Sequence, residues 1–166
     1  MKIGIVYYSR TGNTRKAAHL LEEKFKKGDT EVDLIEIEHV KRPGFLTAGR
    51  SAMKQEEVPI KNTDFDMKKY DILIIGSPTW AGNPSPFVKG FMNKAENIKN
   101  KKIAVFSTCS GSIDNREKFN KAIKNNLQNL GLETIDKYLA LQMKKDQIID
   151  GEQNIDGFVN TVLKNI

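Results

Sequence analysis

Short apolar runs of strand length alternate with amphipathic stretches of helical length from one end of the chain to the other. Ile3, Ile5, Val6 and Tyr7 make the first run, which reads as a strand from Lys2 to Tyr8 buried on both faces. Ala17, Ala18, Leu20, Leu21 and Phe25 then recur at helical spacing and predict a helix over Thr14 to Lys27. The same reading gives strands at Glu31 to Glu36, Asp71 to Gly76, Lys102 to Thr108 and Thr134 to Leu139. It gives helices at Gly44 to Lys54, Pro86 to Lys99, Asp114 to Leu130 and Glu152 to Ile166. Pro86 suits the first turn of its helix, where a missing N–H leaves no bond unmade. Strict alternation, without repeats or an interdomain linker, predicts one α/β domain over residues 1–166. Its core is a doubly wound, five-stranded parallel sheet whose right-handed crossovers put helices on both faces. Such sheets bind ligands beyond the carboxyl ends of their strands, so the loops after the first, third and fourth strands hold the candidate chemistry.

The first of these loops is Ser9-Arg10-Thr11-Gly12-Asn13-Thr14. The hydroxyls of Ser9, Thr11 and Thr14 and the amide of Asn13 can donate to anion oxygens, Gly12 lets the backbone turn closely, and the helix behind presents its free N–H groups. The loop holds no lysine and matches neither the triphosphate loop G-x-x-x-x-G-K-[ST] nor the dinucleotide fingerprint G-x-G-x-x-G, so a single terminal phosphate monoester fits best. An ordinary capped helix would use the same residue types. After the third strand comes Ser77-Pro78-Thr79-Trp80-Ala81-Gly82-Asn83-Pro84-Ser85-Pro86, uncharged and braced by proline. A rigid apolar loop around the only tryptophan suits stacking on a flat aromatic ligand; the alternative is a core or interface anchor. The third loop, Ser107-Thr108-Cys109-Ser110-Gly111-Ser112, is small and uncharged, and Gly111 lets backbone groups approach a ring.

Composition narrows the classes. The lone cysteine, Cys109, excludes an intrachain disulfide and a multi-cysteine metal site, and no metal is expected at His19 or His39. Cys109 has no neighbouring His or cation and reads as a packing residue, not a nucleophile. No catalytic side chain is expected: no Ser-His-Asp set is recognisable, and the acidic cluster of a phosphoacceptor receiver is replaced by Tyr7-Tyr8-Ser9. The net charge of +6 comes with neither a nucleic-acid motif nor interleaved aromatics, so no nucleic-acid partner is expected. The lysines read mostly as solvated caps, and a basic face steering an acidic partner stays open. No apolar run approaches membrane-spanning length, and the start MKIGIVYYSR lacks a leader pattern, so a cytoplasmic chain without membrane insertion is expected.

These motifs together resemble the flavodoxin family: SRTGNT its phosphate loop, SPTWAGNPSP its first ring-binding loop, and STCSGS its second. The resemblance covers nearly the whole chain. It implies strand order 2-1-3-4-5 and FMN as cofactor. Ser9, Arg10, Thr11, Gly12, Asn13 and Thr14 would hold the phosphate, with Pro78, Thr79, Trp80, Ala81, Gly82 and Asn83 on one side of the ring and Thr108, Cys109, Ser110 and Gly111 on the other. Gly82 would let either flanking peptide rotate toward the ring when the latter is reduced. Electron-carrier flavodoxins are usually acidic and commonly place a tyrosine in the second ring loop, whereas this chain is basic and has no aromatic there. The stretch Lys41 to Met53 also exceeds a minimal crossover and is expected to border the site. The resemblance implies a low-potential electron-transfer carrier between redox proteins. The alternatives are an FMN-dependent reductase of quinones or other small acceptors, and a non-redox anion- or nucleotide-binding module. Redox proteins or a small acceptor are the expected partners, and the chain is expected to be a monomer or weak dimer.

Overall fold

In chain order the elements are β1 (Lys2–Tyr7), α1 (Asn13–Phe25), β2 (Glu31–Glu36), α2 (Phe45–Lys54), β3 (Ile72–Trp80), β4 (Asn83–Pro84), α3 (Pro86–Lys94), β5 (Lys102–Cys109), α4 (Arg116–Asn129), β6 (Glu133–Lys144), β7 (Gln147–Asp150) and α5 (Ile155–Lys164). The computed structural model describes residues 1–26, 29–41, 44–54 and 56–165. The predicted helix end at Lys27, the crossover residues Arg42 and Pro43, and Ile166 therefore lie outside the described residues.

The sheet runs β2-β1-β3-β5-β6-β7, with β4 paired only to β3. The first five of these are parallel, which is the expected 2-1-3-4-5 order. Strand alternation divides the core in two, because successive side chains point to opposite faces. Ile72 and Ile74 face Ala17, Leu21 and Phe25 of α1 and Phe158 of α5, whereas Leu73 and Ile75 face Phe87 and Phe91 of α3 and Phe119 and Ile123 of α4. Each fully buried Ile, Leu or Phe contributes about 1.5–3 kcal/mol, and β1, covered on both sides, is the rigid spine from which the first loop leaves. Among the described residues no helix is long and apolar enough to cross a membrane.

Several boundaries differ from the sequence reading. β3 does not end at Gly76; its ladder to β5 continues through Ser77↔Ser107 and Pro78↔Thr108. Pairing with β1 stops at Tyr7↔Gly76, so beyond it β3 is an edge on that side, where proline is tolerated. β5 likewise continues through Cys109. β6 reaches Lys144 and turns back through Lys145 and Asp146, whose φ values of 46° and 63° make a tight hairpin with antiparallel β7. The all-parallel five-stranded expectation therefore gains this antiparallel edge and the short β4. α3 stops at Lys94, five residues before Lys99, because Glu96 leaves the helix to exchange backbone bonds of 3.0 Å with Phe65 and Met67. α4 and α5 start at Arg116 and Ile155, each after a turn of 3₁₀ helix.

Candidate functional site

At the carboxyl ends of β1, β3 and β5 the chain opens a cavity of about 840 Å³. The first loop contributes Arg10, Thr11, Asn13 and Thr14; the β3 end contributes Pro78, Thr79, Trp80 and Ala81; the β5 end contributes Thr108, Cys109 and Ser110. The remaining predicted residues, Ser9, Gly12, Gly82, Asn83 and Gly111, do not line it, and geometry gives most of them a supporting place. Ser9 Oγ accepts the backbone N–H groups of Gly12 and Arg15, each at 3.2 Å, which folds the loop back on its own strand. Gly12 caps α1 with a left-handed φ of 99°, and no acidic residue occupies the first turn of that helix. Its dipole end therefore faces the cavity without an acid of its own turn, although the Asp146 carboxylate of the β6–β7 turn comes close, its Oδ1 3.6 Å from where a Cβ on Gly12 would sit.

Thr14 and Thr108, both buried, share a hydroxyl–hydroxyl bond of 2.8 Å. A hydroxyl donates once, so Thr14 can give its proton to a ligand only when Thr108 donates to it. Arg15 is not a spare cation: its guanidinium forks onto Glu36 at 2.9 and 2.7 Å. Tyr7 Oη donates to the same carboxylate at 3.4 Å. Burial, reinforced by the Glu36 charge, pushes the Tyr7 phenol up to about 12.

The ring loop is tightly held. Trp80 meets Tyr8 edge-on, with centroids 5.8 Å apart at 89°, and Phe87 at 6.3 Å and 85°. Tyr8 and Phe87 stack at 4.3 Å, so an aromatic group reaching into the core fixes the indole that lines the cavity. Trp80 pairs with Asn83 across a two-residue turn in which Ala81 and Gly82 have φ of 50° and 77°. The Ala81 carbonyl accepts from Lys118 Nζ at 3.0 Å and from Asn83 Nδ2 at 3.1 Å. Of the two peptides beside Gly82, the Ala81–Gly82 peptide is thereby clamped by two donors. At the β5 end, Cys109 Sγ donates to the Gly111 carbonyl at 3.1 Å. Burial, with a smaller push from Asp150, raises its pKa, so it is a protonated thiol at neutral pH.

The sequence-predicted residues leave one side of the cavity unassigned, and α2 supplies it. Leu46, Ala48, Gly49, Arg50, Met53 and Lys54 line this wall, as the expectation that Lys41 to Met53 borders the site required. Leu46, Gly49, Arg50 and Met53 stand at i, i+3, i+4 and i+7, the one sequence signal that marks them as a helix stripe. Lys118 and Tyr8 also escaped the site reading; Tyr8 resembled an ordinary core position, and nothing local announces the long reach of Lys118. Of the charged residues lining the cavity, Arg10, Arg50 and Lys54 are cationic and none is acidic.

A doubly wound sheet with a hydroxyl-rich loop at a helix N-terminus and two uncharged loops at the switch point defines a mononucleotide-binding protein of flavodoxin type. The chain belongs to the NADPH-dependent FMN reductase family, which matches residues 1–146. It is 29% identical to a flavodoxin of Synechocystis over 139 residues, 81% of this chain and 68% of that protein. Among solved structures, a flavoprotein in complex with FMN from Lactobacillus acidophilus superposes with a TM-score of 0.67 at 23% identity, covering 95% of this chain and 97% of the other. Oxidised flavodoxin 2 from Bacillus cereus gives a TM-score of 0.65 at 22% identity over 100% of both chains. The site's own chemistry fits FMN. A phosphate finds hydroxyls and a helix N-terminus with no acid in its first turn, a planar ring finds uncharged loops with an indole, and the volume falls in the roughly 300–1,000 Å³ range of small-molecule sites.

Proposed function

We propose that this chain binds FMN in the cavity and reduces small planar acceptors with electrons from a reduced nicotinamide nucleotide. The observation that carries the reading is the α2 wall. A flavin site closed on a further side by a helix bearing Leu46 and Met53 is a chamber for a second small molecule. A protein-to-protein carrier needs only an exposed ring edge. FMN, when bound, supplies the acceptance and release of electrons. Thr11, Asn13, Thr14 and the first-turn N–H groups of α1 bind the phosphate. Pro78, Thr79, Trp80 and Ala81 cover one ring face and exclude water from it. Thr108, Cys109 and Ser110 would border the other side and offer their backbone groups to the ring. Ser9, Gly12, Gly82, Asn83 and Gly111 shape these loops. The protonated Cys109 thiol is a hydrogen-bond donor and no base.

The second reading is the carrier: the net charge of +6, though unlike that of the usual acidic carriers, would steer acidic redox proteins toward the chain. Anaerobic mixing separates the two. The chain is reduced with NADPH and mixed with a water-soluble naphthoquinone. The reductase reading expects reoxidation many times faster than for free reduced FMN at equal concentration. Reoxidation no faster than free FMN, or no reduction by NADPH, returns the chain to the carrier class.

A further inference from the structure

The α2 stripe has a composition that packing does not require. Ala48, Ser51 and Ala52 are buried and seat the helix against the body of the protein. On the cavity side, Leu46 is 88% and Met53 64% exposed, two of the largest apolar exposures among the described residues. They stand seven residues apart, about 10 Å along a helix axis, which is the length of a two-ring aromatic molecule. Between them sits Gly49, where an added Cβ would meet nothing within 4 Å. Glycine there weakens the helix by about 1 kcal/mol relative to alanine. It leaves a shallow floor between two apolar side chains, and no neighbouring atom demands it.

Charge selects the occupant further. Arg50 lies in the same stripe as Gly49, and no acidic residue lines the cavity. Lys54 is already paired with Glu56 at 3.5 Å, and Arg10 belongs to the phosphate loop. A guanidinium beside a flat apolar floor binds a carboxylate in two parallel bonds while the attached ring covers the floor.

We propose that Leu46, Gly49, Arg50 and Met53 form an acceptor subsite for a planar aromatic carboxylate, with the ring on the Leu46–Gly49–Met53 floor and the carboxylate on Arg50. This rests on the reductase reading, because it names the molecule that would share the chamber with FMN.

The test is calorimetric titration of the FMN-loaded chain with 2-naphthoate and with its neutral counterpart 2-naphthylmethanol. Naphthoate is expected to bind about ten- to a hundred-fold more tightly than the alcohol, the worth of one charge-assisted contact. Arg50→Gln should abolish that preference while the alcohol still binds. Gly49→Leu, a better helix former with open space before it, should fill the floor and remove binding of both ligands. FMN content and helical circular dichroism report whether each variant is otherwise intact. A naphthoate preference unchanged in Arg50→Gln, or binding unchanged in Gly49→Leu, overturns the subsite, as does a wild type that binds neither ligand. If FMN is held and a neutral quinone is reduced while naphthoate fails to bind, the subsite falls and the function stands. If the chain does not hold FMN, the function falls, and the same titration of the chain as isolated still decides the subsite.

Discussion

Thr14 joins two of the loops that make the site, so its hydroxyl is used twice. It bonds Thr108 at 2.8 Å and, in the proposed complex, the phosphate. Thr14→Ala removes one charge-assisted hydrogen bond, roughly 1.5–3 kcal/mol, and leaves the buried Thr108 hydroxyl without this partner. FMN affinity is expected to fall about ten- to a hundred-fold, riboflavin affinity less, and Thr14→Ser to restore most of the loss, as read by flavin fluorescence titration. Equal losses for FMN and riboflavin would remove Thr14 from the phosphate. Trp80→Ala should lower affinity for both flavins by a similar factor, about 1–3 kcal/mol, since the lost contact is with the ring. Tyr7 gives a pH signature. The fold favours its neutral phenol, so its contribution is complete below the ordinary value of 10.0 and is lost as pH rises toward about 12. That amounts to about 2–3 kcal/mol at most. Urea midpoints should therefore fall more steeply between pH 9.5 and 11.5 in the wild type than in Tyr7→Phe; parallel slopes would contradict the assignment.

At the scale of elements, the β3–β4 hairpin shows how backbone and side chain share one task. Ala81 and Gly82 both need positive φ, and Lys118 reaches from α4 to hold the turn through the Ala81 carbonyl. Gly82→Val meets strain from φ 77° and a Cβ only 2.7 Å from Lys118 Cδ, so the turn and the clamp cannot both persist. A loss of about 1–2 kcal/mol is expected, partly recovered in the Gly82→Val, Lys118→Met pair. Thermal unfolding checks it, and strictly additive effects would place the strain elsewhere. The same hairpin marks what was legible in the sequence. The three loops stood out because glycine, hydroxyl and tryptophan residues cluster where apolar runs end. Their continuation as strand through Ser77 to Trp80 did not, because small polar residues and Pro78 read as loop until the pairing with β5 and then β4 is known. The α2 wall was legible only as an overlong crossover. Its stripe mixes Leu46, Gly49, Arg50 and Met53, a pattern that points to no core, and only the fold brings it to the cavity. The β6–β7 hairpin was missed because its positive-φ residues are Lys145 and Asp146, without the glycine that usually announces such a turn.

For the whole molecule, the parallel sheet holds three loops and one helix around a single chamber, and every charged side chain lining it is basic. The arrangement predicts selective recognition of a phosphorylated flavin, since the ring walls serve riboflavin and FMN alike and only the first loop distinguishes them. The most direct test is calorimetric titration of the flavin-free chain with FMN and with riboflavin. The account expects one FMN per chain, bound about a hundred-fold or more tightly than riboflavin, as several charge-assisted hydrogen bonds to the phosphate require. Equal affinities, or no binding of FMN, would contradict it.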